Sequence, residues 1–259
     1  MNIKNELTGI AAIWYREFKV FLREKSRIVG SIVNPILWLL IFGGGLGSSI
    51  SIAGVNYQAF IFPGILAQAV LFSSIFFGVY IVWDRKIDFL KEVLVAPISR
   101  VSIFMGKVIG GATDSLLQSF ILLIIGVIFG ATGIIPGLHI TVFSFLGALL
   151  VLFFTTTLLV SAGLIIGSQM ESPEGFQLIS SFLIFPLFLL SGALFPISNL
   201  PKWLAPFTFI NPVTYSVDAL RGVILGASQF HLALDLGVIG GAAVVAILIG
   251  TYAFKKMKV

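Results

Sequence analysis

Charge is scarce in this chain and unevenly placed, so the few ionisable residues within or between apolar runs are where chemistry has to be sought. The densest group lies in WDRKIDFLKEVLVAPISR, Trp83 to Arg100. Six of the nine residues after Trp83 are charged: Asp84, Arg85, Lys86, Asp88, Lys91 and Glu92. On a helix at about 100° per residue, Ile87, Phe89, Leu90, Val93 and Leu94 share one side. Asp84, Arg85, Asp88, Lys91 and Glu92 take the other, and Lys86 alone intrudes on the apolar face. Pro97 ends such a helix, because it lacks an N–H and disfavours a helical Ala96. The pattern predicts a short amphipathic helix outside a bilayer, tethered at both ends to apolar spans. The alternative is a solvated loop that balances charge.

Three further acids stand apart. Asp114 lies inside an apolar run, beside Thr113 and Ser115 and one turn from Gln118. An ionisable group in a span defaults to a functional role; a hydrogen bond to a neighbouring helix is the other reading. Asp218 and Arg221 are three apart and are expected to pair. Asp235 is expected at the outer interface. His139 and His231 fall at span edges, where they suggest neither a metal site nor a general base. The absence of cysteine excludes disulfides, thiol catalysis and thiolate metal sites. No GxxxxGK[ST] loop occurs, and GGGLG at 43–47 is followed by no Lys-Ser/Thr. Neither a bound cofactor nor an enzymatic activity of its own is therefore expected of this chain.

The elements that position these residues are membrane helices. The chain has 259 residues, 58% hydrophobic and 10% charged, with 25 Phe and 27 Gly. Soluble domains carry about 25% charged residues, which places this one among polytopic membrane proteins. Its length accommodates five to seven spans of about 20 residues and no sizeable soluble domain. The opening stretch has no signal-peptide layout, so Met1 is expected to be the mature start.

Residues 6–26 read as an amphipathic interface helix. Leu7, Ile10, Ala11, Trp14, Phe18, Phe21 and Leu22 form its stripe, and Arg16, Lys19 and Arg23 lie opposite. Six spans follow: about Ile28–Ser48, kinked at Asn34-Pro35; Tyr57–Trp83; Ile103–Gly130; His139–Ser168; Phe176–Ala193, bent at Pro186; and Leu232–Phe254. Between the last two, residues 194–226 carry Pro196, Pro201, Pro206 and Pro212. Asn211 as cap and Pro212 at the first helical position make a good helix start. This stretch is expected to form two short re-entrant helices in the outer half of the membrane. The recurring GxxxG spacings imply close helix packing. The expected fold is thus all-α, one transmembrane domain over 1–259. With both termini on one side, 14 of the 16 Lys and Arg share that side, and only Lys202 and Arg221 fall outside it. That asymmetry predicts cytoplasmic termini and a cytoplasmic 84–100 segment.

The 84–100 segment resembles the loop after the second span in ABC-2-type transporter membrane subunits, notably the daunorubicin-resistance kind. Asp84-Arg85 and Pro97-Ile98-Ser99-Arg100 match that pattern. Lys86 stands where Glu is usual, and the Gly that normally follows is missing. PISNLPKWL…NPVTYSVDALRG, 196–222, is similar to the family's region between its last two spans, with Asn211, Pro212, Tyr215, Asp218 and Arg221 as matching positions. The resemblance covers essentially the whole chain and specifies no substrate. It implies a permease that dimerises with itself in the cell membrane, each half docked on a separate ATPase subunit that holds ATP and Mg. Two ATPase copies are then expected, and nucleic acid is not a partner. Under it, Asp84, Arg85, Lys86, Asp88, Lys91, Glu92, Pro97, Ser99 and Arg100 belong to the ATPase-coupling segment, with Trp14, Arg16, Lys19 and Arg23 on the interface helix beside it. Export of an amphipathic drug, lipid or glycan by alternating access follows. The competing expectation is an ion-coupled secondary carrier using Asp114, although residues 28–130 and 139–254 show no convincing inverted repeat.

Overall fold

The computed structural model describes residues 3–47, 51–52 and 54–257. Met1, Ser48 at the expected end of the first span, and Lys258 of the basic tail lie outside these.

Helix α1, Ile3–Arg23, ends at Glu24, whose φ −86° and ψ 63° break the chain's helical course. The interface helix is therefore shorter at its end than the expected 6–26. Helix α2, Lys25–Trp38, runs through Pro35, and its distortion falls later, as a π turn over Leu39–Gly43 followed by the single turn α3, Gly44–Gly47. A two-residue hairpin, β1 Ser51–Ile52 against β2 Val55–Asn56, then reverses the chain.

The second apolar run divides into α4, Tyr57–Phe76, and α5, Val79–Lys86. Gly78 sits between them for a steric reason. A Cβ there would lie 2.0 Å from the Gly163 carbonyl oxygen, and one at Gly167 would lie 2.3 Å from the Gly78 oxygen. Backbone meets backbone here, so only glycine fits. Helix α4 is the centre of the bundle, buried along nearly its whole length and packed on α2, α7, α8, α9 and α11.

The expected continuous amphipathic helix after Trp83 is not present. Helix α5 ends at Lys86, Asp88 adopts a left-handed backbone (φ 59°), and α6, Phe89–Val95, starts afresh. Arg85 and Lys86 in the last turn of α5 suit a helix C-terminus, and Asp tolerates the left-handed region that ends helices. The break turns Ile87 to the surface, 64% exposed, instead of onto the apolar side, while Leu90 is fully buried.

Long helices complete the bundle: α7, Arg100–Ala131; α8, Val142–Gln169; and α12, Leu232–Lys256. Their N-caps are Ser99, Thr141 and His231. Helix α9, Pro173–Leu189, is capped by Ser172 and contains Pro186. Between it and α12 come a 3-10 turn at Ile197–Asn199 and two short helices, α10, Ala205–Ile210, and α11, Pro212–Leu225. Among the described residues five helical stretches are long and apolar enough to cross a membrane. The fifth expected span, α9, has 17 residues, about 26 Å of helix against a hydrocarbon core of about 30 Å.

Candidate coupling site

Helix α1 lies along α7 because α7 offers no side chain where they touch. A Cβ at Gly106 would meet Ile13 at 2.8 Å, and one at Gly110 would meet the Glu17 Cβ at 2.8 Å. The buried face of α1 is accordingly Ile13, Glu17 and Phe21, whereas Leu7 and Leu22 of the expected stripe are exposed.

This contact closes a charge cluster contributed by three helices. The Lys107 ammonium on α7 donates to Glu17 Oε1 at 2.9 Å and to Asp84 Oδ2 on α5 at 2.6 Å. Arg16 donates from Nη2 to Asp84 Oδ1 at 2.8 Å and from Nη1 to Glu17 Oε1 at 2.7 Å. Lys107 and Glu17 are each 2% exposed, and two cations face two carboxylates. Burial by itself would lower the Arg16 pKa, but Asp84 first and then Glu17 outweigh it and hold it above the usual arginine value. The Arg16 guanidinium also lies 4.0 Å over the Phe89 ring of α6. One balanced cluster thereby ties α1, α5, α6 and α7.

Around it, side chains close helix ends. Glu6 accepts the Ser99 N–H (3.0 Å to Oε2) and the hydroxyls of Ser99 and Ser102, placing a carboxylate at the N-terminus of α7. Those hydrogen bonds, Ser102's foremost, hold its pKa below the ordinary glutamate value. Arg85 donates to the Ser168 and Met170 carbonyls at 2.9 Å each, at the end of α8. Arg100 reaches the Phe254, Lys255 and Met257 carbonyls, the last at 2.7 Å, at the end of α12.

The residues expected to share one coupling surface thus separate into two sets. Asp84, Arg85, Ser99 and Arg100 are engaged within the chain, and Asp84 is buried. Lys86, Asp88, Lys91, Glu92 and Pro97 are exposed, with Lys91 and Asp88 paired at 2.7 Å. On α1, Arg16 turns inward, Trp14 donates to Thr113 at 3.1 Å, and Lys19 and Arg23 remain exposed. Glu17 and Lys107 escaped the sequence reading as site residues. Their signal was a lone Lys inside an apolar run and an acid next to Arg16 in the basic half of an amphipathic helix.

Asp114 is buried on α7 with Arg27 Nη1 at 3.8 Å from Oδ2, while its Oδ1 has no partner. Arg27 in turn donates to the Tyr80 hydroxyl, which donates to Glu24. A cavity of about 220 Å³ borders this group, lined by Arg27, Ser31, Asn34, Gln68, Ser73 and Gln118. No group of three or more His, Cys, Asp or Glu able to hold a metal occurs among the described residues.

At the opposite end, the expected Asp218–Arg221 ion pair does not form. Asp218 accepts the backbone N–H groups of Gln229 and Phe230, and Arg221 donates to the Gly192 carbonyl at 2.8 Å. Each side chain is thus engaged by backbone groups of a different segment. Asn211 caps α11 and donates to the Leu187 carbonyl, Pro212 starts that helix, and Tyr215 donates to the Phe209 carbonyl. Asp235, in the first turn of α12, is fully buried, and neither carboxylate oxygen has a partner.

A bundle of apolar helices whose charges gather at one end, with a short exposed helix held between two spans, defines a polytopic membrane subunit. The family model for the ABC-2 type transporter matches residues 8–225, and the chain belongs to that family. It is 28% identical to the inner membrane transport permease YadH of Escherichia coli K12, over 89% of this chain and 88% of YadH. It is 26% identical to nodulation protein J of Rhizobium meliloti, over 95% and 92% of the two chains. It is also 28% identical to the "Probable doxorubicin resistance ABC transporter permease protein DrrC" of Mycobacterium tuberculosis, over 79% and 72%. The chain is a multi-pass membrane subunit of an ABC transporter, a type that works with an ATPase partner.

Proposed function

We propose that this chain is the membrane half of an ATP-driven exporter, acting as a homodimer with two ATPase subunits. It crosses the cell membrane six times with both termini cytoplasmic, and ATP and Mg are held by the partner. The observation that carries this reading is the contrast within 84–100. Lys86 and Asp88 at the turn into α6, and Lys91 and Glu92 on it, face outward, while the segment is fixed on both sides by buried or capped charges. A push on α6 reaches Arg16 through Phe89 and reaches α7 through Asp84 and Lys107. The three helices then move as one body, which is what transmission from an external motor requires.

The cargo is an amphipathic drug, lipid or glycan, moved by alternating access. Doxorubicin resistance in the name of one relative supports the drug class. Exposed apolar faces on α2 and the π turn after it (Val33, Leu37, Ile41) and on α9 (Leu178, Phe182, Phe185) suit both lipid and a second copy. The Arg27 contact favours a structural role for Asp114 over the ion-coupled carrier.

Arg85 and Arg100 serve carbonyls of this chain, so the fair test of docking is Lys86→Glu with Lys91→Glu. The doubly substituted chain inserts normally but no longer co-purifies with its ATPase, and transport stops. Undiminished co-purification and transport would remove α6 as the docking element. Transport that survives ATP depletion but stops with an ionophore would restore the carrier reading.

A further inference from the structure

At the end of the bundle opposite the charge cluster there is a cavity of about 460 Å³, bordered by β1, β2, α4, the 3-10 turn and the end of α11. Its lining combines apolar side chains, Phe60 and Leu225 among them, with the polar Ser198, Asn199, Ser228 and Gln229. Arg221 lines it and is 4% exposed. Its guanidinium lies 4.0 Å over the Phe60 ring, and Nη2 donates to the Gly192 carbonyl. Nε is buried with no partner, and no carboxylate lies within ion-pair distance among the described residues. Asp218, one turn earlier, is already engaged by two backbone N–H groups.

A guanidinium has five donors, and a buried cation is ordinarily paired. Here the cation borders a space large enough for a headgroup, beside four neutral hydrogen-bonding side chains. We propose that this cavity binds a phosphate-type oxyanion, with Arg221 as its cation and Ser198, Asn199, Ser228 and Gln229 as its neutral partners. The guanidinium fork matches two phosphate oxygens at once. The apolar part of the lining suits the glycerol end of a phospholipid, so the headgroup of an anionic lipid is the favoured carrier and free phosphate the other source. Neither the direction of transport nor the dimer enters this inference.

The test uses the whole transporter in nanodiscs of phosphatidylcholine, with and without phosphatidylglycerol, and reads retained lipid by native mass spectrometry. The wild type retains phosphatidylglycerol in preference to phosphatidylcholine. Retention falls roughly tenfold or more in Arg221→Gln, the loss expected for a charge-assisted hydrogen bond. Asn199→Asp, at an exposed position, places a carboxylate at the cavity and weakens retention without touching the Arg221–Gly192 contact. In pure phosphatidylcholine discs, a melting temperature raised by inorganic phosphate over chloride at equal ionic strength, and lost in Asn199→Asp, identifies free phosphate as the source. Two results overturn the proposal: no response to either anion in the wild type, or full retention in Asn199→Asp. The second variant decides the matter even where Arg221→Gln fails to fold.

Discussion

Removing the Lys107 ammonium would leave Glu17 and Asp84 facing one another with only Arg16 between them, in a space nearly closed to water. Breaking a buried ion group in this way costs about 3–5 kcal/mol. Lys107→Met is therefore expected to lower the detergent melting temperature sharply, whereas Lys107→Met with Asp84→Asn, which restores charge balance against Arg16, recovers part of the loss. A single variant as stable as the wild type would show the cluster to be dispensable. Glu6 makes a different, pH-dependent contribution. Its pKa is lowered on folding, so its stabilisation is complete above the ordinary glutamate value and is lost as pH falls through the depressed one. Melting temperatures of wild type and Glu6→Gln should differ most at neutral pH and converge in acid; a gap that stays constant would detach the effect from ionisation.

Helix α1 depends on α7 for its seat, and that dependence rests on two missing side chains. Glu17 cannot yield to a side chain at Gly110, because Lys107 and Arg16 both hold it. Gly110→Leu should therefore lift α1 and speed tryptic cleavage after Arg23 in the solubilised complex, with unchanged cleavage marking a looser contact than described. The long helices were legible in the sequence because a run of about 20 apolar residues has one physical solution in a bilayer. The orientation of α1 was not. Periodicity identified a face that avoids water, but it does not distinguish lipid from protein. The face that meets α7 carries Ile13 and Glu17, and its partners lie far along the chain, Lys107 being 90 positions from Glu17. The 84–100 segment failed for a local reason. Ile87 fits the apolar period, yet the end of α5 and the left-handed Asp88 set the break there, and no period records that. Asp218 and Arg221 were misread because i,i+3 spacing makes a pair available, while nearby backbone groups offered each a better partner.

For the molecule as a whole, contacts at its two ends bear on the number of crossings. Contacts of Glu6 with Ser99, Arg85 with Ser168 and Arg100 with Met257 gather the start of α7 and the ends of α5, α8 and α12 at one end of the bundle. Lys202, Arg221 and the Asn211 cap belong to the other. Helix α9 must join the two if the last span is to return, and it is a few ångström short of the hydrocarbon thickness. A short span is accommodated by local thinning of the bilayer at modest cost, and Trp203, Phe207, Phe209 and Ile210, all exposed, offer apolar surface at that level. The chain has no cysteine, so single ones report cleanly. Lys91→Cys and Lys256→Cys are expected to react with an impermeant maleimide only from the cytoplasmic side, and Lys202→Cys only from outside. All three positions are exposed, so a silent label is not explained by burial. Reaction of Lys202→Cys from the cytoplasm would mean that α9 enters and leaves on one side. Five crossings would put the end of α12 on the far side from the start of α7, against the Arg100–Met257 contact, so that result would overturn the arrangement of the bundle itself.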